Sequence, residues 1–353
     1  MVSYWSWLKR KGTVEGKEFT MAKGRLKLGI VGAGRIATAH ASAIIELRDQ
    51  VELWGIAEPQ GDRGKEFARK FGVEKIYPDY QNLLADQEVE AVIVCLPHHL
   101  HHPVCMEAAR ASKHILVEKP MAMNLREADE MVEEARTHGV TFMVGQSRRF
   151  SDAMKEIFSR LDEIGSPFRL DISFLLSFPQ PAAGWWRDSE RAGGLVILLD
   201  GSHSVDTIIW LLNKTPSTVF SISRRRSSLW EGEDEADIVL GYESGELATV
   251  HLSLNTKPYL HEAILVGPKG TMKLFEFPTG KPFDFSYRLD INGKTVLDGP
   301  QIPSLFTVQL REFLDAIRES RLPIASGEEV RRTVLVMDAI RKSDREGNVV
   351  RLE

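Results

Sequence analysis

Along the first 150 positions, short apolar runs alternate with segments of helical period. Leu28 to Val31 is an apolar run too brief for a helix, and after Gly32-Ala33-Gly34 small and apolar residues recur at helical spacing as far as His40. That sequence of run, glycine pair and stripe predicts a strand, a tight turn and a helix. Val51 to Ala57 reads as a buried strand, Gly61 to Phe71 as a helix closed by Gly72, and Lys75 to Tyr77 as a short strand. Tyr80 to Ala85 follows as a helix and Ala91 to Leu96 as a fully apolar strand. Pro103 to Ser112 is helical, His114 to Val117 a strand, and Asn124 to His138 a helix opened by an Asn124/Glu127 capping box and ended by Gly139. Val140 to Val144 supplies one more strand. Strict alternation of strand and helix predicts an α/β Rossmann domain over residues 22–147, a doubly wound parallel sheet whose ligands sit beyond the carboxyl ends of the strands.

Past residue 148 the period changes from helical to two. Phe168 to Phe178 alternates apolar residues with Arg169, Asp171, Ser173 and Ser177, and Ser217 to Arg226 is strand-like. Ala236 to Tyr242 and Glu246 to Leu254 flank a Glu243-Ser244-Gly245 turn, while Glu262 to Val266 and Thr271 to Phe277 flank Gly267-Pro268-Lys269-Gly270. These pairs predict an antiparallel meander in a second domain, residues 148–353. Phe306 to Arg318 and Glu328 to Arg341 are amphipathic helices whose stripes should pack within the chain. A sheet has two faces, and an uncovered apolar one favours pairing with another subunit, so a homodimer or homotetramer through this sheet is expected. Arg224-Arg225-Arg226 reads more simply as a solvated strand end than as an anion site.

Composition narrows the function classes. A chain of 353 residues with 43% apolar content can bury two ordinary cores. A net charge of −5 and a pI near 6.1 lack the basic excess of a nucleic-acid binder, and no apolar run has the length of a membrane span. Cys95 and Cys105 both sit in apolar or helical patterns and read as buried thiols, which fits a cytoplasmic protein. Residues 1–21 form an extension unlike the rest: Tyr4, Trp5 and Trp7 precede Lys9-Arg10-Lys11 without the apolar core of a signal peptide. Gly16 to Met21 back-translates into a purine-rich stretch a few bases before Met21, which makes Met21 a candidate natural start. The rival reading is an aromatic arm that packs on a neighbouring subunit.

The candidate chemistry gathers at predicted strand ends. Gly32 permits a tight turn, Gly34 lets the backbone approach a pyrophosphate, and Ala37 lets the helix pack close to the strand, with the helix N-terminus facing the anion. Glu58 ends the next strand, 21 positions after Ala37, where a carboxylate accepts hydrogen bonds from an adenosine ribose. It favours NAD over NADP, with NADP still possible. His98, His99, His101 and His102 crowd one loop but lack the spacing of a zinc site, so no metal is expected. Lys119 follows the apolar strand His114 to Val117 and is kept off a helix by Pro120. In the second domain, Trp185 and Trp186 lie just before the apolar run Leu195 to Leu212, and Trp186 suits either stacking on a sugar ring or core packing. Within that run Asp200, His203 and Asp206 need partners if buried. The run reads as helical, and a spacing of three puts Asp200 and His203 on neighbouring turns of one face, so the carboxylate can orient the imidazole. His203 then serves as acid and base for a hydroxyl or carbonyl.

Together these residues resemble the Gfo/Idh/MocA oxidoreductase family. The resemblance rests on Gly32-Ala33-Gly34-Arg35-Ile36-Ala37, on Pro97 with His101, on Lys113 to Pro120 with its Glu118-Lys119-Pro120, and on Gly193-Gly194 ahead of Gly201-Ser202-His203 and Asp206. It covers roughly residues 25 to 350. The likeness implies a nicotinamide-dependent dehydrogenase or reductase for a sugar, cyclitol or related polyol, with a second domain built on a large, mainly antiparallel sheet. It places Gly32, Gly34, Arg35, Ile36, Ala37, Glu58, Leu96, Pro97, His98, His101, Glu118 and Lys119 on the cofactor. Lys119, Arg149, Trp186 and His203 would face substrate, and Lys119 would hydrogen-bond the reacting oxygen. Three positions depart from the pattern: Leu199 stands where members commonly carry an aspartate, Leu195 replaces a third glycine, and His98 an asparagine. These departures leave room for a second reading, a nicotinamide-binding sensor that has lost turnover. Lys119 and His203 argue against it, since a pure binder needs neither.

Overall fold

The computed structural model describes residues 24–352, so the N-terminal extension and its candidate start lie outside the described residues. The chain divides into two compact units: one runs up to Ser147 and takes in Pro303–Arg331, and the other comprises Arg148–Ile302 and the chain from Arg332 onward.

The first unit carries six parallel strands, β1 (Leu26–Val31), β2 (Val51–Ala57), β3 (Lys75–Tyr77), β4 (Ala91–Val94), β5 (His114–Val117) and β6 (Phe142–Val144), in the order β3-β2-β1-β4-β5-β6. That is the strand order of a dinucleotide-binding sheet. β4 and β5 are buried along their whole length, which is why both read as uninterrupted apolar runs. Five helices connect the strands: α1 (Arg35–Glu46), α2 (Gly61–Phe71), α3 (Tyr80–Ala85), α4 (His101–Arg110) and α5 (Leu125–Thr137). α2 ends on Gly72 in the left-handed conformation, φ 69°. At the start of α5, Asn124 accepts the Glu127 N–H at 3.0 Å. Glu127 reaches back to the Met123 N–H, one residue earlier than the capping box predicts.

The sequence divides the chain at a single point near residue 148, whereas the first unit also takes in residues 303–331. The reason is the helix Leu305–Arg318, which buries Phe306, Leu310, Phe313, Leu314 and Ile317 and packs on α1. Polar contacts fix the packing: the Thr307 hydroxyl donates to Glu46 at 2.6 Å, and Arg318 donates to the Gln50 side chain at 2.6 Å.

The second unit begins with α6 (Asp152–Arg160), β7 (Arg169–Ser177), α7 (Ser189–Ala192), α8 (Val196–Leu199) and α9 (Gly201–Leu212). Seven strands follow: β8 (Thr218–Arg224), β9 (Glu235–Gly241), β10 (Leu247–Ser253), β11 (Asn255–Gly267), β12 (Gly270–Pro278), β13 (Phe285–Ile291) and β14 (Lys294–Pro300). With β7 and the terminal β15 (Val350–Arg351) they form one sheet, ordered β14-β13-β12-β11-β7-β10-β9-β8-β15. β7 is inserted between β10 and β11 and runs parallel to β10, pairing Arg169 with Leu247 through Leu175 with Ser253. The sheet is therefore mixed at its centre rather than a pure meander. Strand period two is clear in β9, where Ala236, Ile238 and Leu240 are buried while Asp237 and Val239 are exposed.

The run Leu195 to Leu212 is not one helix. The segment Ser189–Leu199, which ends in α8, meets α9 at Asp200 with a bend of 45°. Ahead of the break, Gly194 has φ +101°, and the Glu233 carboxylate accepts the N–H groups of Leu195 at 2.8 Å and Ile197 at 3.2 Å. A Cβ on Gly194 would lie 2.9 Å from that carboxylate, so glycine is needed there. Burial raises the Glu233 pKa against the pull of these N–H donors. Beyond the break, Gly201 approaches β10 so closely that a Cβ would meet Leu252 at 3.0 Å. Among the described residues no single helix is long and apolar enough to cross a membrane.

Candidate active site

In the first unit the turn between β1 and α1 is built for an anion. Gly32 has φ +93°, and a Cβ there would lie 2.6 Å from the Cys95 carbonyl oxygen, so no other residue fits. Its N–H donates to Ala57 at 2.8 Å, which ties the turn to the end of β2. Gly34 is the N-cap of α1 and has open space where a Cβ would project. α1 has neither a side-chain cap nor an acid in its first turn, so no carboxylate of its own repels an anion at its N-terminus. Arg35 is exposed, Ile36 half-buried and Ala37 fully buried against the sheet.

Glu58 sits at the end of β2 with its side chain wholly buried. One carboxylate oxygen accepts the Ala33 N–H at 2.9 Å; the other accepts the Gln60 N–H at 2.9 Å and the Arg63 guanidinium at 2.7 Å. Burial works to raise its pKa, but Arg63 and the two N–H donors outweigh it and hold the carboxyl below its usual range. Glu58 is thus a charged brace on the glycine turn as well as a candidate ribose acceptor. Arg63, absent from the expected site, is about half exposed and caps the same carboxylate.

The ends of β4 and β5 carry the other residues expected at the nucleotide. Leu96 and Pro97 are half-buried and His98 is buried in a single 3-10 turn. His101 is fully buried, with Nε2 2.9 Å from the Leu96 carbonyl oxygen and Nδ1 2.8 Å from that of Pro120. Burial pulls its pKa down. Glu118 is buried and takes a 2.7 Å hydrogen bond from His40 Nε2, a residue absent from the expected site. Its other oxygen accepts the Lys119 N–H at 3.2 Å. Among the described residues no group of three or more His, Cys, Asp or Glu is arranged to hold a metal ion.

In the second unit Asp200 and His203 are both buried, 8% and 7% exposed, at the start of α9. The His203 N–H donates to the Asp200 carbonyl at 3.1 Å, so the two are joined through the first turn of α9 rather than through a continuous helix. Asp200 is the N-cap of α9 and itself has helical dihedral angles, φ −105° and ψ −32°, so the break leaves the three-residue spacing of the pair within one helical turn.

Two expectations for substrate contact change. Arg149 is 2% exposed, and its guanidinium donates to both oxygens of Asp206, at 2.7 and 2.6 Å. Thr333 adds a third hydrogen bond to Asp206 at 2.9 Å. Arg149 is therefore half of an internal ion pair and not positioned for a sugar. Trp186 is 7% exposed and packs edge-on against Phe178 and Trp185, so core packing accounts for it, while Trp185 is the more accessible of the pair.

A second polar group in this unit also lies outside the expected site. Glu276 is 3% exposed and accepts hydrogen bonds from Arg148 at 2.9 Å, Tyr259 at 2.6 Å, His261 at 2.8 Å and Tyr287 at 3.0 Å. Burial opposes its charge, yet Arg148 and His261 hold the carboxyl well below the usual range. The signal is present in the sequence: Glu276 follows Met272 and Leu274 at period two on the buried side of β12, where an acid needs partners.

Residues 26–146 match the family model described as oxidoreductase family, NAD-binding Rossmann fold, and residues 160–352 the model for its C-terminal alpha/beta domain. The chain is 28% identical over 349 residues to the myo-inositol 2-dehydrogenase of Thermotoga maritima, covering 93% of this chain and 99% of that one. It is 30% identical over 307 residues to the 1,5-anhydro-D-fructose reductase of Ensifer adhaerens, covering 85% and 91%. Its fold is similar to that of the aldose-aldose oxidoreductase from Caulobacter crescentus complexed with glycerol, with a TM-score of 0.82, 24% identity, and coverage of 93% and 100%. The chain belongs to the Gfo/Idh/MocA oxidoreductase family, and its first unit is an NAD-binding Rossmann domain.

Proposed function

We propose that this oxidoreductase moves a hydride between NAD and a hydroxyl or carbonyl carbon of a sugar, a cyclitol or a related polyol. The substrate class is supported by the relatives, which are named for an inositol and an anhydrofructose. Oxidation takes a hydride from carbon and a proton from oxygen, and reduction returns both. Lys119 hydrogen-bonds the reacting oxygen and stabilises the charge that develops on it. His203 accepts or returns the proton, and Asp200 orients the imidazole. NAD supplies the hydride chemistry; Gly32, Gly34 and the first turn of α1 bind its pyrophosphate, and Glu58 its adenosine ribose.

The observation that carries this reading is the buried His203 beside Asp200 in the first turn of α9, in a chain whose glycine turn leads into a helix with no capping side chain and no acid in its first turn. A silent sensor would need only the turn. The test is to incubate the purified protein with NAD or NADH and a panel of cyclitols, sugars and their keto forms, following reduced nicotinamide by absorbance. Turnover of at least one compound is expected, and its loss in both Lys119→Ala and His203→Ala. Tight NAD binding with no turnover across the panel in either direction overturns the reading in favour of the sensor.

The same chain is a homodimer or homotetramer in this reading, paired through the nine-stranded sheet, where Ile222, Val239 and Phe277 are 60%, 37% and 46% exposed. A monomer by sedimentation would rule that out. The free, buried thiols of Cys95 and Cys105 support a cytoplasmic location.

A further inference from the structure

We infer that His40 and His101 are positioning residues for Lys119, holding the backbone on its two sides. The inference rests on the reading of Lys119 as the group that meets the reacting oxygen. A lysine has a flexible four-carbon stem, so it can be aimed only if its backbone is fixed. Residue 118 is fixed from α1: His40 is 0% exposed and gives Nε2 to the Glu118 carboxylate at 2.7 Å. The Phe306 ring meets the His40 ring edge-on at 5.1 Å and 84°, which limits the tilt of the imidazole. Gly145 closes the other side of Glu118, since a Cβ there would come within 3.1 Å of Oε1. The second Glu118 oxygen then accepts the N–H of Lys119 itself.

Residue 120 is fixed from α4. His101 Nδ1 lies 2.8 Å from the Pro120 carbonyl oxygen and Nε2 2.9 Å from that of Leu96, so one imidazole links the loop after β4 to the loop after β5. Carbonyl oxygens only accept. A neutral imidazole therefore donates to one of them and an imidazolium to both. Lys119, by contrast, is only half-buried between two buried and anchored neighbours. The two histidines come from separate helices, α1 and α4, and both converge on this one backbone segment.

The test compares His40→Ala, His40→Gln and His101→Gln with the unmodified full chain. Two readouts are taken: amide hydrogen exchange at Lys119, and kcat with NAD and myo-inositol as the probe polyol. His40→Ala should speed exchange at Lys119 by about tenfold or more, because its amide loses an anchored acceptor. It should lower kcat by a similar factor of about ten while the NAD dissociation constant stays within about threefold. His40→Gln should recover most of both, since the glutamine amide still donates to Glu118. His101→Gln should likewise lower kcat and speed exchange at Lys119. If His40→Ala leaves Lys119 exchange at the wild-type rate in a folded protein, the inference is wrong. Full activity in Lys119→Ala overturns instead the reading of Lys119 as catalytic, and the exchange data still report on the anchoring.

Discussion

Arg149 and Asp206 meet end to end inside the second unit, Nε to Oδ2 at 2.7 Å and Nη2 to Oδ1 at 2.6 Å, with side chains 1% and 2% exposed. The Arg149 guanidinium also lies over the Trp210 ring at 5.3 Å. Removing the cation leaves a carboxylate buried with only Thr333 still donating to it among these contacts. Arg149→Met should therefore cost roughly 3–5 kcal/mol of stability. Urea unfolding measures it, and a loss below about 1 kcal/mol would mean that Asp206 finds another partner or protonates at little cost.

His114 makes stability depend on pH. Burial lowers its pKa from 6.5 to about 4, and its Nδ1 accepts the Thr141 N–H at 2.9 Å, which requires that nitrogen to be unprotonated. Between those pH values the unfolded chain binds the proton and the folded chain does not. The contribution is thus fully present above pH 6.5 and is lost as the pH falls toward 4. By linkage it amounts to roughly 3 kcal/mol at most. His114→Asn keeps an acceptor without the titration, so its unfolding free energy should fall less between pH 7.5 and 4.5, on the order of half the wild-type drop or less. Equal pH dependence in the two proteins would exclude His114 as the source.

Cofactor preference should follow the Glu58 and Arg63 pair. A 2′-phosphate would meet the Glu58 carboxylate, so NAD should bind better than NADP, and Glu58→Ser should narrow or reverse the preference. Because Glu58 also holds the Ala33 N–H, that variant should weaken NAD itself by about tenfold. Arg63→Ala uncovers the carboxylate and should widen the discrimination against NADP. Calorimetric titration with both nucleotides decides, and equal affinities in the unmodified protein would remove Glu58 from the role.

Asp200→Asn separates catalysis from binding. If the carboxylate orients His203, turnover should drop by about tenfold or more while NAD affinity is unchanged, because the nucleotide turn is untouched. Steady-state kinetics alongside NAD titration provide the check. Full activity in Asp200→Asn, with none in His203→Ala, would make Asp200 a helix cap only.

The two-sheet architecture was legible because its signals are local. Buried parallel strands such as Ala91–Val94 and His114–Val117 must be apolar on both faces, and half-buried strands such as Glu235–Gly241 must alternate. Gly32 was legible because its positive φ and its approach to the Cys95 carbonyl admit no side chain. β14 left no apolar pattern because its residues are mostly exposed or half-exposed, whereas β13 went unread although Tyr287, Leu289 and Ile291 alternate as buried residues.

What only the tertiary structure decided were the partners. Sequence named Glu118 and His101 as site residues from their places in motifs and Arg149 from the family resemblance, and it singled out Asp206 as a buried acid in need of a partner. It had no means to pair Glu118 with His40 across 78 positions or Arg149 with Asp206 across 57. Nor did it show that the apolar run Leu195 to Leu212 bends at Asp200, since the carboxylate that holds the first of its two helices belongs to Glu233, 38 positions beyond Leu195. Periodicity reports which face of an element is buried, and a buried polar group then requires a partner. Which partner it finds depends on how distant segments pack, and that geometry has no local signature in the chain.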